Sequence, residues 1–362
     1  MLGISIYPEK QDKKEIFRYI DKASEYKFKR IFSCLLSVTD TKENLIKNFS
    51  EINEYAHKKG MFVILDVNPR VFDTFGASYD DLSFFKELKA DGIRLDMGFD
   101  GKKEADMTFN TQNLLVEINI SNDNKYLDNI ISYHPKKDFL IASHNFYPQK
   151  YTGLSLEFFN KITLKFKQNH IKTAAFVTSE IAKVGPWDLS HGLCTLEISR
   201  NLPIKTQVKH LYATKLIDDI IIGNSFASDI ELKQMSQVDP DIITFEVKTI
   251  EDFENNQVIK DILFNEKHFR RGDTNDFFVR STQSRVKYKN ESFLPQNTPK
   301  KLKRGDVVIC NDNYKQYKGE LQIILKDTDN DDLGKNVVAK IKEHEIFLLD
   351  YLPALGRFKF EK

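Results

Sequence analysis

Eight short apolar segments recur through the first 225 residues, and a helix-like stretch follows most of them. The segments are GISIYPE (3–9), RIFSCLLS (30–37), FVILDVN (62–68), GIRLDMG (92–98), LLVEINIS (114–121), FLIASHN (139–145), TAAFVTSE (173–180) and DDIIIGNS (218–225). Such runs of Ile, Val, Leu and Phe are typical of strands that are buried on both faces. Eight strand–helix units of this kind predict an α/β fold, a closed (β/α)8 TIM barrel with its functional residues at the carboxyl ends of the strands.

The pattern changes after a last helix-like stretch at residues 228–237. Residues 241–248 look extended, and residues 250–268 have the spacing of a helix. Five short strand-like segments then follow between polar or Gly-bearing turns, at residues 277–281, 306–311, 320–327, 336–342 and 345–352. We therefore predict a barrel domain over residues 1–237 and a β-rich domain over residues 245–362.

Composition excludes several classes of protein. The 54 basic and 53 acidic residues nearly balance, which argues against a nucleic-acid-binding protein. Three widely spaced cysteines offer neither a disulfide framework nor zinc-ligand spacing. No apolar run approaches the roughly 20 residues of a membrane span, and the chain enters its first strand without a signal-peptide pattern. We expect a cytoplasmic protein without membrane partners. Its oligomeric state stays open.

Polar residues suited to carbohydrate chemistry cluster at the ends of the predicted strands. They are Asp66 and Asn68, Arg94 and Asp96, Asn119, His144, Asn145 and Tyr147, and Glu180, which follow strands three to seven in turn. Side chains two residues apart share one face of a strand, and neighbouring strands lie about 5 Å apart. We therefore expect the carboxylates of Asp66 and Asp96 to approach each other at the barrel mouth.

A pair of carboxyl groups at that distance is typical of glycoside hydrolysis. One carboxylic acid protonates the leaving oxygen, while the other acts as a nucleophile or activates water. We predict Asp66 and Asp96 as the catalytic residues. The sequence leaves open which of them is the acid and whether the reaction retains or inverts configuration.

Two Gly-containing turns after the last strands suggest an anion site. Residues 185–192 (GPWDLSHG) and 223–228 (GNSFAS) combine glycine with small hydroxyl residues, and barrels often bind phosphate there on backbone N–H groups. We expect Asn224 and Ser225 to contact a phosphate, together with a basic residue of the second domain such as Arg280 or Arg304. No nucleotide-binding fingerprint or HExxH motif occurs, so the sequence requires no cofactor and no metal.

Two other functions remain open at this stage. Asp66, Asp96, Glu180 and His144 are also residue types that bind a divalent cation, as in a sugar-phosphate isomerase or lyase. A third possibility is a non-catalytic protein that binds a phosphosugar.

The segment SHNFYPQKYTGLS (143–155) resembles the MupG family of 6-phospho-N-acetylmuramidases. Further stretches agree in order along the chain: GISIY (3–7), LDVN (65–68), GIRLDMG (92–98), GLCTLE (192–197), IIGNSFAS (221–228) and RGDVVICNDNYKQYKGELQI (304–323). The resemblance implies a TIM barrel followed by a cyclophilin-like β domain. It also implies an intracellular bacterial hydrolase that splits a 6-phosphorylated MurNAc–GlcNAc disaccharide in peptidoglycan recycling.

The resemblance extends to individual positions. The residues that match by position are Asp66, Arg94, Asp96, Asn119, His144, Asn145, Tyr147, Thr195, Glu197 and Asn224. It implies that Glu197 and Asn224 join the predicted substrate-binding residues, although no family role is attached to either one.

Overall fold

The eight predicted strands form one closed parallel barrel, in the order in which they occur in the chain. They are β1 (Leu2–Ile6), β2 (Arg30–Cys34), β3 (Phe62–Val67), β4 (Gly92–Leu95), β5 (Leu115–Asn119), β6 (Leu140–Ser143), β7 (Lys172–Val177) and β8 (Asp219–Ile222). The computed structural model describes residues 1–36, 40–188 and 191–362. The predicted TIM-barrel class is confirmed. The strands stop earlier than the apolar segments, which continue into the loops; Ser37, at the end of the second segment, lies outside the described residues.

Helices alternate with the strands on the outside of the barrel. They are α1 (Lys13–Glu25), α2 (Lys42–Lys58), α3 (Pro69–Phe75), α4 (Ser83–Glu87), α5 (Lys102–Met107), α6 (Tyr126–Ser132), α7 (Leu156–Gln168), α8 (Ile204–Ala213) and α9 (Asp229–Ser236). Their starts follow local capping chemistry: Asp12 accepts from the N–H groups of Lys14 and Glu15, and Ser155 accepts from that of Phe158. The apolar stripes that predicted the helices face the strands.

The motif GIRLD starts with glycine because the strands pack closely at that point. A Cβ atom on Gly92 would lie 2.6 Å from Cδ1 of Ile64 and 2.7 Å from the carbonyl oxygen of Leu115. Any larger residue would push β4 away from its neighbours β3 and β5. Gly92 therefore allows the spacing that brings Arg94, two residues later, into the barrel interior.

Charged side chains fill part of that interior. Arg30 on β2 is 1% exposed and donates to Glu117 on β5 and, at 2.9 Å, to Asp219 on β8. Glu117 is fully buried and also lies 4.0 Å from Nε of Arg94. A buried charge is tolerated only when it is paired, so these residues depend on one another.

The second unit is rich in strands. They are β9 (Ile243–Thr249), β10 (His268–Phe269), β11 (Phe278–Ser281), β12 (Lys301–Leu302), β13 (Asp306–Cys310), β14 (Leu321–Ile324), β15 (Thr328–Asp329), β16 (Lys335–Ile341) and β17 (Arg357–Glu361). Seven of them form a sheet in the order β10-β17-β9-β16-β13-β14-β11, and β12 pairs with β15. Two short helices accompany them, α10 (Gln257–Lys260) and α11 (Gln283–Lys287). Contacts divide the chain into Met1–Gln237 and Val238–Lys362.

Two predicted elements in this unit were wrong. Residues 345–352 form 3₁₀ turns within Glu343–Tyr351 instead of a strand. A short continuous apolar run does not distinguish a strand from a buried helical segment. The expected helix over residues 250–268 is broken into a 3₁₀ turn, the short helix α10 and a π-helical turn at Asp261–Asn265. The alternating segment RFKFE (357–361), for which no strand was predicted, forms β17 and pairs with β9.

No helix in the described ranges is both long and apolar enough to cross a membrane. The three cysteines, Cys34, Cys194 and Cys310, are buried and free.

We predict that Glu117→Gln destabilises the barrel by about 3 kcal/mol, because it leaves the buried charge of Arg30 with incomplete compensation. Glutamine has nearly the same shape, so a cavity does not explain the loss. Urea unfolding, followed through the transition of the barrel, measures the change. The control Lys102→Ala removes an exposed pair with Asp106 and is expected to cost under about 0.5 kcal/mol. Equal effects of the two substitutions would contradict the prediction.

Candidate active site

One guanidinium group organises the carboxyl end of the barrel. Arg94 leaves β4 toward the barrel interior, and only 3% of its side chain is exposed. Its Nη1 atom donates to Oδ1 of Asp66 at 2.6 Å and to Oδ1 of Asp96 at 3.2 Å. Its Nε atom donates to Oγ of Ser143 at 2.8 Å, and Nη2 donates to Oδ1 of Asn145. The nearby carboxylates raise the pKa of Arg94, so it remains a cation.

The two carboxyl groups meet as the strand positions predicted, but they lie in different environments. Asp66 ends β3 and is 3% exposed, whereas the side chain of Asp96 is 34% exposed. Burial raises the pKa of Asp66 to about 7; Arg94 lowers it, and the negative charges of Asp96 and Glu117 raise it. At neutral pH Asp66 is therefore able to carry a proton and to release it.

Two amide side chains complete the arrangement. Nδ2 of Asn119, at the end of β5, donates to the backbone oxygen of Asp96 at 3.1 Å and to Oδ1 of Asn145 at 3.0 Å. Asn145 thus accepts from both Arg94 and Asn119 through a single oxygen. Its NH2 group lies on the other branch of the amide and remains available as a donor. The structure therefore brings together five predicted residues, Asp66, Arg94, Asp96, Asn119 and Asn145.

Aromatic side chains lie beside this cluster. Phe146 follows Asn145 and packs edge-on against Phe176 of β7 at a ring separation of 5.0 Å. Its ring also lies 5.9 Å from that of Trp187, which is 47% exposed. Tyr147 is half-buried, and its pKa is raised by burial. An apolar wall with an exposed tryptophan edge suits the C–H face of a sugar ring.

His144 does not face the barrel mouth, contrary to the prediction. It is fully buried between β6 and α7, where its ring stacks on Phe159 at 4.6 Å. Its Nε2 atom lies 2.8 Å from Oγ1 of Thr163, and its Nδ1 atom lies 3.3 Å from Oγ of Ser121. Burial, and then the charge of Arg94, lowers the pKa of His144 to about 3. It is a neutral structural residue. It contacts Oγ of Ser121, which in turn accepts from the backbone N–H of Asn145.

Glu197 is also structural. Its carboxylate accepts from the backbone N–H groups of Tyr151 and Gly153 at 2.9 and 2.8 Å and forms a two-bond pair with Arg200. That pair lowers the pKa of Glu197 to about 2. Arg200 donates further to the backbone oxygen of Tyr147 at 2.9 Å. The segments 143–155 and 192–197 therefore hold each other in place, and Glu197 has no free oxygen for a substrate.

In the predicted phosphate-binding turn, the side chains of Asn224 and Ser225 are already hydrogen-bonded to the protein backbone. Asn224 is 1% exposed and binds the backbone of Ser179 and Ala182 through both ends of its amide. Ser225 is fully buried, and its hydroxyl donates to the backbone oxygen of Ser5. The following helix, α9, is capped by Ser228 and Glu231. Asn224 and Ser225 therefore join strand ends and do not line a site. In the other predicted turn, residues 189 and 190 lie outside the described residues.

The remaining predictions are also revised. Asn68 caps α3 by accepting from the N–H of Val71 at 3.2 Å. The side chain of Glu180 is exposed. Arg280 belongs to the second unit, where it pairs with Glu320. Sequence reasoning missed Arg30, Glu117 and Asp219, which form the buried charge cluster next to Arg94. The period-2 position of Glu117 before Asn119 was a usable signal.

The ligand set proposed for a metal does not assemble. His144 is occupied by Thr163 and Ser121, and the positive Arg94 side chain lies against both Asp66 and Asp96. Within the described ranges, the one cluster with metal-ligand spacing is Glu246, His344 and Glu345, in the second unit.

Comparison with known proteins agrees with this architecture. The family described as 6-phospho-N-acetylmuramidase matches in two parts, its N-terminal part at residues 2–237 and its C-terminal part at residues 243–361. An uncharacterized B. cereus protein of known structure is 47% identical, with a TM-score of 0.91 over 100% of this chain and 99% of that one. A conserved Enterococcus faecalis protein of unknown function is 23% identical, with a TM-score of 0.74 over 100% and 96%.

The second of these similarities shows the fold alone. A comparison with curated proteins finds no match. The two family matches together account for nearly every residue from 2 to 361. On this basis the chain belongs to the MupG family of 6-phospho-N-acetylmuramidases, a family of glycosidases.

Proposed function

We propose that this protein hydrolyses the glycosidic bond of a 6-phosphorylated MurNAc–GlcNAc disaccharide. The observation that carries the proposal is the pair Asp66 and Asp96, two carboxyl groups of different burial that bind the same guanidinium nitrogen of Arg94. Two carboxyl groups with different environments are the minimum that glycoside hydrolysis requires. Membership of the family supports the choice of substrate.

Asp66 acts as the general acid in this mechanism. Its raised pKa, about 7, keeps a large fraction protonated at neutral pH. Oδ1 of Asp66 accepts from Arg94, so we assign the proton to Oδ2, which lies 4.0 Å from Sγ of Cys34. The proton passes to the glycosidic oxygen as the bond to the GlcNAc leaving group breaks.

Asp96 is the nucleophile. It is the more exposed of the two carboxylates, and it pairs with Nη1 of Arg94 at 3.2 Å. Because Oδ1 of each residue lies within 3.2 Å of the same nitrogen, the two oxygens are less than about 6 Å apart, which favours the retaining spacing of about 5–5.5 Å over the inverting spacing of about 6.5–9.5 Å. A glycosyl ester on Asp96 is then hydrolysed by water that Asp66, now a carboxylate, deprotonates.

Arg94 is a positioning residue. Its N–H groups bind four protein side chains, which orient both carboxyl groups and the Asn145 amide. It therefore does not serve as the primary contact for an anionic group of the substrate. Asn145 binds a sugar hydroxyl or N-acetyl group through its NH2 group, and Asn119 positions Asn145. Phe146 and Trp187 contact the apolar face of a ring.

The cellular setting is also part of the proposal. A 6-phosphorylated sugar is an intracellular species, and three buried free cysteines suit a reducing compartment. We infer a cytoplasmic bacterial enzyme in peptidoglycan recycling, with a small phosphosugar as its partner and no cofactor.

We expect Asp66→Asn and Asp96→Asn each to lower kcat on the 6-phosphorylated disaccharide by about 10²- to 10⁴-fold, since each removes one step of proton or glycosyl transfer. Release of GlcNAc, followed by mass spectrometry, measures the rate. The matched control is Asp100→Asn, which alters an exposed carboxylate in the loop that follows β4, where Asp96 also lies. Near wild-type turnover in both active-site variants would exclude the assigned pair.

The pH profile tests the role of Asp66 separately. Because the acid must be protonated, kcat/KM is expected to fall as the pH rises through about 7, the pKa of Asp66. Asp66→Glu, which retains a carboxylic acid in a changed position, is expected to move this alkaline limb, while Asp100→Asn leaves it in place. A profile that stays flat between about pH 6 and pH 8 argues against Asp66 as the acid.

The stereochemistry tests the role of Asp96. We expect the first-formed sugar phosphate to keep the anomeric configuration of the substrate, because two displacements occur at the same carbon. Proton NMR recorded during the first minutes of hydrolysis distinguishes the two anomers before they equilibrate. If the opposite anomer is released first, Asp96 is not a nucleophile but a base that activates water.

A further inference from the structure

The second unit contains a cavity of about 450 Å³ that the proposed reaction does not use. Its wall includes four aromatic rings, one lysine and one glutamine: Phe277, Phe278, Tyr314, Tyr317, Lys335 and Gln322. Small-molecule sites usually have about 300–1,000 Å³, apolar walls and a few polar groups that fix orientation. In this cavity, Lys335 and Gln322 are polar groups that could fix a ligand.

Lys335 is a buried cation without an ion pair. It starts β16 and is 7% exposed, and in the part of the chain that the structure describes no carboxylate lies within 4 Å of its Nζ atom. The ammonium instead lies 3.7 Å from the ring centroid of Phe278 and 5.8 Å from that of Tyr314. Burial lowers its pKa, which Asp332 and Glu320 partly oppose. A cation–π contact compensates only part of the cost of burying a charge.

Arg280, the cation that the sequence suggested, is already paired. It donates through Nε and Nη2 to both oxygens of Glu320, at 2.7 and 3.1 Å, and Arg285 lies 3.6 Å from the same carboxylate. Glu320 is fully buried. Arg280 and Arg285 therefore share one buried carboxylate, and of the two cations in the cavity wall, Arg280 and Lys335, only Arg280 has an ion pair among the described residues.

Gln322 supplies an unsatisfied acceptor. It is 7% exposed, and its Nε2 atom donates to Oε1 of Glu320 at 2.9 Å. This bond fixes the amide orientation, because a carboxylate accepts from the NH2 group and not from the carbonyl group. Oε1 of Gln322 is buried and has no hydrogen-bond partner among the described residues. A buried acceptor left in that state is unfavourable, and a ligand donor would relieve it.

We propose that this cavity binds a hexose that carries one anionic group, a phosphate or a carboxylate. The anion binds the ammonium of Lys335, a hydroxyl donates to Oε1 of Gln322, and the C–H face of the ring packs on the aromatic wall. Each group of the ligand thus satisfies a group that the protein leaves unpaired. This cavity is lined by residues of the second unit alone, and the proposal does not depend on the proposed hydrolysis.

Isothermal titration of the full-length protein with glucose 6-phosphate, glucuronate and uncharged glucose tests the proposal. At least one of the two anionic sugars is expected to bind, and glucose at least tenfold more weakly. Comparison of glucose 6-phosphate with glucuronate shows whether the site prefers a phosphate or a carboxylate. Lys335→Gln is expected to weaken binding of the anionic sugar at least tenfold. Lys326→Gln is the matched control, because Lys326 also lies near an aromatic ring but is exposed and paired with Asp276.

Gln322→Leu gives a second, independent test. It removes the acceptor at nearly the same volume and is expected to weaken binding of the charged sugar several-fold; if Lys335→Gln does not fold, as judged by Tm, this variant decides. If Lys335→Gln shows the same binding heat for the anionic sugar as the wild-type protein, the sugar binds elsewhere, for example in the barrel. That result overturns the proposal. Equal binding of glucose, or no binding of either anionic sugar, overturns it as well.

Discussion

The barrel interior is organised around two buried guanidinium groups, and the geometry of the candidate site depends on them. Arg30 is compensated by Glu117 and Asp219, and Arg94 by Asp66 and Asp96. Glu117, 4.0 Å from Nε of Arg94, links the two groups of charges. Because an unpaired charge is costly inside a protein, no member of this set changes position alone. The electrostatic balance thus holds the carboxyl pair before any substrate binds.

The same balance separates the two carboxyl groups chemically. Burial raises the pKa of Asp66, and the positive charge of Arg94 opposes that shift without cancelling it. Asp96 shares the guanidinium but lies partly in solvent. Two aspartates that share one cation thereby lie in environments of different burial, and such a difference is typical of acid–nucleophile pairs.

Several residues in the recognisable motifs serve the scaffold rather than the site. Glu197 holds the backbone at Gly153, where a Cβ atom would lie 2.7 Å from its carboxylate, and Asn224 joins the ends of β7 and β8. These hydrogen bonds place the loop that carries Asn145 and Phe146. A motif therefore located the correct end of the barrel while assigning too many of its members to the substrate.

Hydrophobic periodicity and the alternation of side chains are local properties, so the amino-acid sequence was enough to predict the eight strands, their order and the strand-end positions of Asp66, Arg94 and Asp96. It did not determine which neighbours compensate a buried charge: Arg30 and Asp219 are 189 residues apart. It also did not separate His144 from Asn145, because both faces of a barrel strand are buried and apolar periodicity carries no direction there. The closed barrel sets that difference: His144 packs against Phe159 and Thr163 of α7, whereas Asn145 binds Arg94.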